Sequence, residues 1–195
     1  MRGVGAGLHA ALLLARGRAE GLFLLVPPAD APPEAATATA ARSFWAAAFC
    51  LPATVLLHWL DRLSLPPASR GPLFDHGFAL DLLGFAIGWL AFALASHAMA
   101  NRLGRARLWP RFIAAWNWCN VVQNLLLIAG SLPVLAGAPT WFSQATWLVA
   151  TGWALWLEWF ASRLALELPP LTAAALVALD IAIGLGIVLA TVLAT

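Results

Sequence analysis

The stretch from Phe112 to Leu157 contains no Asp, Glu, Lys or Arg. A single helical crossing of a bilayer needs roughly 20 apolar residues, so this run is about two crossings long. Pro133, Gly137 and Pro139 interrupt it near its middle. Proline cannot extend a helical hydrogen-bond ladder and glycine accommodates a sharp turn, so the pattern predicts two apolar helices joined by a tight connection. Any fold of this chain has to place that hairpin somewhere other than water.

The remainder agrees. Hydrophobic residues make up 62% of the 195 and charged residues 10%, with a mean hydropathy of +0.83. A water-soluble domain of this size could not cover that much apolar surface. Lipid offers the backbone no hydrogen-bond partner, which leaves helices or a closed barrel, and no alternating strand pattern is present. The predicted class is all-α, a polytopic transmembrane helical bundle of five spans preceded by an amphipathic interfacial helix. The spans are residues 43–60, 77–100, 112–135, 141–161 and 171–194. Residues 42–195 then form the transmembrane domain, and residues 1–41 an N-terminal segment ending in a flexible Pro/Ala-rich linker over 27–41.

Arginine supplies all 11 Lys/Arg positions. With five spans, Arg2, Arg16, Arg18, Arg42, Arg102, Arg105, Arg107, Arg111 and Arg163 fall on one side, and Arg62 and Arg70 on the other. That asymmetry predicts a cytoplasmic N-terminus and an exoplasmic C-terminus. Trp45, Trp59, Trp109, Trp141 and Trp159 fall near span ends as interfacial anchors, whereas Trp116, Trp118, Trp147, Trp153 and Trp156 lie deeper, as packing residues. Ahead of the first span, Leu8, Leu12, Ala15, Ala19, Leu22 and Val26 recur at helical spacing, which predicts a helix lying on the inner leaflet. A signal peptide is the competing reading, since Arg2 precedes an apolar run, but no convincing cleavage site follows.

Within the spans, polar residues are few and therefore informative. Asn117, Asn120 and Asn124 are three and four apart and share a helix face, with Gln123 beside them. At about 1.5 Å per residue, Asn117 and Asn124 lie roughly 8 and 18 Å into the third span. Asp180 lies roughly 14 Å into the fifth span from the same side, and Glu158 near the inner end of the fourth, with Arg163 just beyond. Three helices thus bring amides and acids to the cytoplasmic half. An ionised Asp at the bilayer centre costs about 2.5–3.5 kcal/mol, so Asp180 should be protonated, hydrogen-bonded or facing water. A hydrated cavity open to the cytoplasm is one consequence, and an interhelical hydrogen-bond network that only fixes packing is the other. Small residues at Gly84 and Gly88, followed by Ala91 and Ala95, and at Ala178, Ala182 and Gly186 mark faces for close helix packing.

Other chemistries find less. His58 and His97 end spans on opposite sides and cannot share a haem. His58, Asp61, Asp75 and His76 share the outer surface without a compact metal-ligand spacing. Cys50 and Cys119 read as apolar packing residues. No phosphate loop, zinc-protease motif or nucleophile elbow is present, so no catalytic residue, metal or cofactor is expected. The small net charge gives no reason to expect nucleic-acid binding.

The layout and three segments, Ala115-Trp116-Asn117-Trp118-Cys119-Asn120-Val121-Val122-Gln123, Glu158-Trp159-Phe160-Ala161-Ser162-Arg163 and Ala178-Leu179-Asp180, resemble the Yip family of five-span membrane proteins and small bacterial inner-membrane relatives. The likeness covers residues 42 to 195. It implies an organising or accessory role in the bacterial inner membrane, through helix contacts with copies of itself or within a larger membrane complex. The alternative is a small transporter or channel component lined by Asn117, Asn120, Asn124, Glu158 and Asp180.

Overall fold

A computed structural model describes residues 2–25, 34–64 and 74–194. Val26, the first part of the expected linker at 27–33, Arg70, and the side chains of Arg2 and Asp61 lie outside the described residues. Every regular element described is helical: α1 (Arg2–Ala15), α2 (Glu20–Phe23), α3 (Glu34–Ser43), α4 (Trp45–Ser64), α5 (His76–Arg102), a 3-10 turn (Ala106–Leu108), α6 (Trp109–Leu135), α7 (Thr140–Leu166) and α8 (Pro170–Ala194). Among the described residues, four stretches are long and apolar enough to cross a membrane: Glu34–Leu60, His76–Arg102, Ala106–Leu135 and Pro170–Leu193. The helix α7 matches α6 in length at 27 residues, but its tryptophans, Glu158 and Arg163 keep it outside that apolar set.

The uncharged stretch folds into the α6/α7 hairpin. Pro110 opens α6 where a missing N–H costs nothing, because the first turn has no intrahelical acceptor for it. Gly137 adopts φ 69° just after α6 ends. That is a left-handed conformation which L side chains resist. Along the hairpin the helices meet closely at Gly130. A Cβ there would lie 2.7 Å from Ala150 Cβ and 3.3 Å from both the Thr146 carbonyl oxygen and Trp147 Cα. Thr146 Oγ1 donates to the Gly130 carbonyl at 3.2 Å across the same contact.

Arg111, in the first turn of α6, ties off the far end of the hairpin. Its Nε donates to the Ala165 carbonyl at 2.6 Å, and its Nη2 donates to the Leu164 carbonyl at 3.4 Å and to Glu167 Oε1 at 2.7 Å. The last carbonyls of a helix lack intrahelical donors and carry its negative dipole end, so a guanidinium is the fitting partner. Glu167 closes α7 in the left-handed region at φ 53°. The Arg111 hydrogen bond and charge, with a smaller contribution from Arg105, hold the Glu167 carboxyl below the usual glutamate range. At the opposite end Asp75 caps α5 by accepting from the Phe78 N–H at 2.9 Å, and it pairs with Arg62. That backbone donor first, then the Arg62 charge, keeps the Asp75 carboxyl below its usual range.

The helix α6 occupies the centre, touching α1, α3, α4, α5 and α7, while α8 packs on α5 and α7. The outer faces are apolar: Leu83, Leu90 and Leu94 of α5, Leu148 and Val149 of α7, and Leu185, Val188 and Val192 of α8 are all exposed. A large contiguous apolar exterior of this kind needs lipid or protein to cover it.

Several expectations change. The segment read as a flexible linker is helical from Glu34. Ser43, expected to begin the first span, pairs instead with Asn117. At about 1.5 Å per residue, that asparagine lies roughly 12 Å along α6. The apolar helical run therefore starts near Glu34. The N-terminal stripe is only partly buried: Ala15 and Leu22 are buried and Leu8 packs on the core, but Leu12 is 46% exposed and Ala19 is exposed, and α1 also buries Gly7, Ala10, Ala11 and Leu14. Gly7 lies against the Trp118 ring, and Trp153 Nε1 donates to the Ala15 carbonyl at 3.0 Å, so α1 lies across α6 and α7. Trp116 and Trp118 are buried as expected, and Trp153 and Trp156, though partly exposed, line a cleft with Ala15 and Arg16 at the end of α1, whereas Trp147 is exposed. Ala178, Ala182 and Gly186 also lie exposed on α8, and among the described residues no neighbour covers Gly186. Gly84 and Gly88 do pack, against Ile187 of α8.

Candidate intramembrane acid site

The amides of α6 divide between two sides of the helix. Asn117 is fully buried and its Nδ2 donates to Ser43 Oγ at 2.7 Å, while Ser43 Oγ in turn donates to the Ala40 carbonyl. Asn124 Nδ2 donates back to the Asn120 carbonyl, and Asn120 Nδ2 to the Trp116 carbonyl, both at 2.9 Å. Gln123 Nε2 reaches across to the Ala154 carbonyl of α7 at 2.8 Å. Each amide nitrogen therefore has a partner supplied by the protein, as lipid would demand. Asn117 and Asn124, seven residues apart, look toward α3 and α4. Trp116 and Asn120 look toward α5 and α8.

On that second side Glu158 of α7 meets Asp180 of α8. The two carboxyl groups face one another within interaction range, with Trp116 and Gln123 flanking Glu158. Glu158 is 4% exposed and Trp116 3%. Among the described residues, Glu158 Oε1 and Trp116 Nε1 nevertheless find no hydrogen bond of normal geometry. Asn117 Oδ1 and Ser162 Oγ are unpaired in the same way, so it is the meeting of two acids rather than the unpaired atoms that sets this place apart. Arg163 stands apart from the pair. It is exposed, with its guanidinium carbon 5.5 Å from the centre of the Trp159 ring, so it does not neutralise either acid. That placement is the one expected of a cation attracted to an aromatic face.

Asp180 also opens into a cleft. Gly84, Phe85, Gly88 and Trp89 of α5, Trp116 and Asn120 of α6, and Ile183, Gly184 and Ile187 of α8 enclose about 210 Å³ around it. The glycines let α8 come close to α5 beside the cleft, because a side chain at Gly84 or Gly88 would run into Ile187. A second cleft of about 360 Å³ shares Gly84, Phe85 and Ile187 with the first and reaches His58 and Asp81. There His58 Nδ1 lies 2.6 Å from Asp81 Oδ2. The route to the acids thus runs along the α5/α8 flank and toward the arginine-poor end. Depth counting along the sequence points instead to an opening at the arginine-rich end.

The remaining sequence-derived groups are dispersed. His58 pairs with Asp81 rather than with Asp75 or His76, and His97 packs edge-on against Trp109. Cys50 and Cys119 are buried free thiols. Among the described residues no three His, Cys, Asp or Glu side chains are grouped to hold a metal ion. Sequence reasoning missed Asp81, the aromatic row Phe85–Trp89–Trp116 and the role of Arg111. Phe85 and Trp89 are four residues apart, directly beside Gly84 and Gly88, and that doubled spacing was the available signal for an aromatic wall next to a gap. Comparison with protein-family models, with curated proteins and with solved structures finds no match.

Proposed function

We propose that this chain is a five-span bacterial inner-membrane protein acting as a small transporter or channel component, in which Glu158 and Asp180 share one proton. The observation that carries the reading is the close pair of acids, Glu158 almost wholly buried and Asp180 at the wall of a cleft. Like charges in a low-dielectric site cannot both persist without a compensating cation, so one carboxyl keeps a proton and the other accepts from it. Such a pair can take up and release a proton without leaving two unbalanced charges in the bilayer, which suits it to relaying protons. Ionisable groups inside a bilayer are expensive enough that function is the default reason for keeping them.

Five crossings are supported by the hairpin. Arg111 at the start of α6 grips the last carbonyls of α7, so α7 returns to the level where α6 began, and if one crosses, both do. The partition of arginines then favours a cytoplasmic N-terminus and a periplasmic C-terminus. The organising role implied by the Yip-like resemblance draws support from the amides, whose donors all end on protein acceptors. Two of these hydrogen bonds, Asn117 to Ser43 and Gln123 to Ala154, cross between helices and fix their arrangement without needing a substrate.

A flux measurement separates the two. In sealed vesicles carrying a pH-sensitive dye inside, an imposed membrane potential is expected to drive a proton flux well above that of protein-free vesicles. Asp180→Asn should return it to background. Equal flux through wild type, Asp180→Asn and empty vesicles would leave the organising role standing alone.

A further inference from the structure

We infer that the α5/α8 cleft is a binding site for a small organic ammonium ion, which enters in exchange for the proton of the acid pair. This deepens the transport reading and rests on the shared proton.

The lining chooses the ligand. Asp180 supplies the charge, and Asn120, whose amide nitrogen is committed to the Trp116 carbonyl, offers its oxygen as an acceptor. Among the described residues no Lys, Arg or His lines this cleft. An anion would therefore meet only repulsion. The walls are aromatic: the Phe85 and Trp89 ring centres lie 5.7 Å apart, and those of Trp89 and Trp116 5.2 Å apart. Aromatic faces beside a carboxylate attract cations whose charge is spread over methyl or methylene groups. A hard metal ion requires six or more oxygen ligands or retained waters, and the apolar share of this lining argues against it. Size sets a limit as well. The cleft encloses about 210 Å³. That is below the roughly 300–1,000 Å³ of sites for drug-sized ligands, so the ligand is small.

The exchange balances. With one proton the pair carries a single negative charge; when the ammonium binds, that proton leaves to water, and two carboxylates with one cation carry the same net charge. Ionisation of both carboxyls strengthens them as acceptors for the buried Trp116 N–H beside them, which favours the cation-bound state. Glu158 Oε1 becomes a carboxylate oxygen facing a cation rather than an orphan.

Tetramethylammonium chloride is a suitable probe. Added to purified full-length protein in weakly buffered detergent with a pH dye, it is expected to release protons up to one per chain at saturation. Sodium chloride at the same ionic strength should release few. Asp180→Asn should abolish the release. Gly88→Ala, whose added methyl lies 3.3 Å from the flexible end of Ile187 and narrows the cleft, should weaken apparent affinity severalfold. Release that is equal for the two salts, or undiminished in both variants, would overturn the inference. If potential-driven proton flux persists while tetramethylammonium neither binds nor releases protons, the ammonium assignment fails and the proton-sharing pair survives. Absence of both would remove the pair as well.

Discussion

The double variant Glu158→Gln with Asp180→Asn is expected to unfold at a higher temperature or detergent concentration than wild type and to carry no proton flux. Removing a buried carboxyl pair eliminates the desolvation penalty that both groups bear. Replacing buried ionic groups with neutral ones of similar volume is often stabilising, by about 1–4 kcal/mol. The amides keep the shape and add donors, so the carbonyl oxygen at position 158, where Oε1 is now orphaned, can accept from the amide introduced at position 180. We expect a gain of about 1–2 kcal/mol, from one satisfied polar group together with the lost desolvation. The flux is what discriminates. The stability gain follows from burial under either reading, but acids that serve only to fix helix packing would leave any activity untouched. Opposite movement of stability and flux is the mark of a site maintained at the expense of the fold.

A second large effect is expected at the centre of the hairpin. Gly130→Leu should destabilise the protein by about 3 kcal/mol, the upper end for overpacking a tight contact. Two of the three atoms that a side chain would meet belong to the α7 backbone, which cannot rotate away, and the third is Ala150 Cβ. The hydrogen bond from Thr146 to the Gly130 carbonyl would be strained as well. Gly152→Leu provides the control on the partner helix, because among the described residues nothing lies within 4 Å of the added Cβ. There the better helix propensity of leucine should stabilise by up to about 1 kcal/mol. Unfolding of both variants in a graded detergent series measures the contrast. Similar midpoints for the two would contradict the close α6/α7 approach.

What could be read in advance followed from local chemistry. Pro133, Gly137 and Pro139 act on their own backbone neighbours, so the hairpin and its helix ends were legible to within a few residues. Burial was less legible because lipid reverses the usual logic. The conspicuous Leu12 and Trp147 point outward, while α1 buries Gly7, Ala10 and Ala11, small residues that allow close approach and stand out little in a periodic pattern. Residues 34–41 look like part of a Pro/Ala linker. Alanine is the strongest helix former, however, and packing on α6 fixes that preference. Spacing alone puts the amides on one face, but which neighbouring helix each meets depends on tertiary arrangement. Ser43 claims Asn117 and the cleft claims Asn120 for that reason. Depth counting puts Glu158 and Asp180 in the same half of the bilayer, and the structure brings them face to face. Arg163, close to Glu158 in sequence, turns away to Trp159.

The infrared spectrum of the protein in lipid at neutral pH bears most directly on the shared proton. A protonated carboxyl has a carbonyl stretch distinct from that of a carboxylate. One such group per chain should be present and should disappear in the Glu158→Gln, Asp180→Asn double variant. A wild-type spectrum with no protonated carboxyl, or a band that survives unchanged in the double variant, would mean that the facing acids do not hold a proton between them.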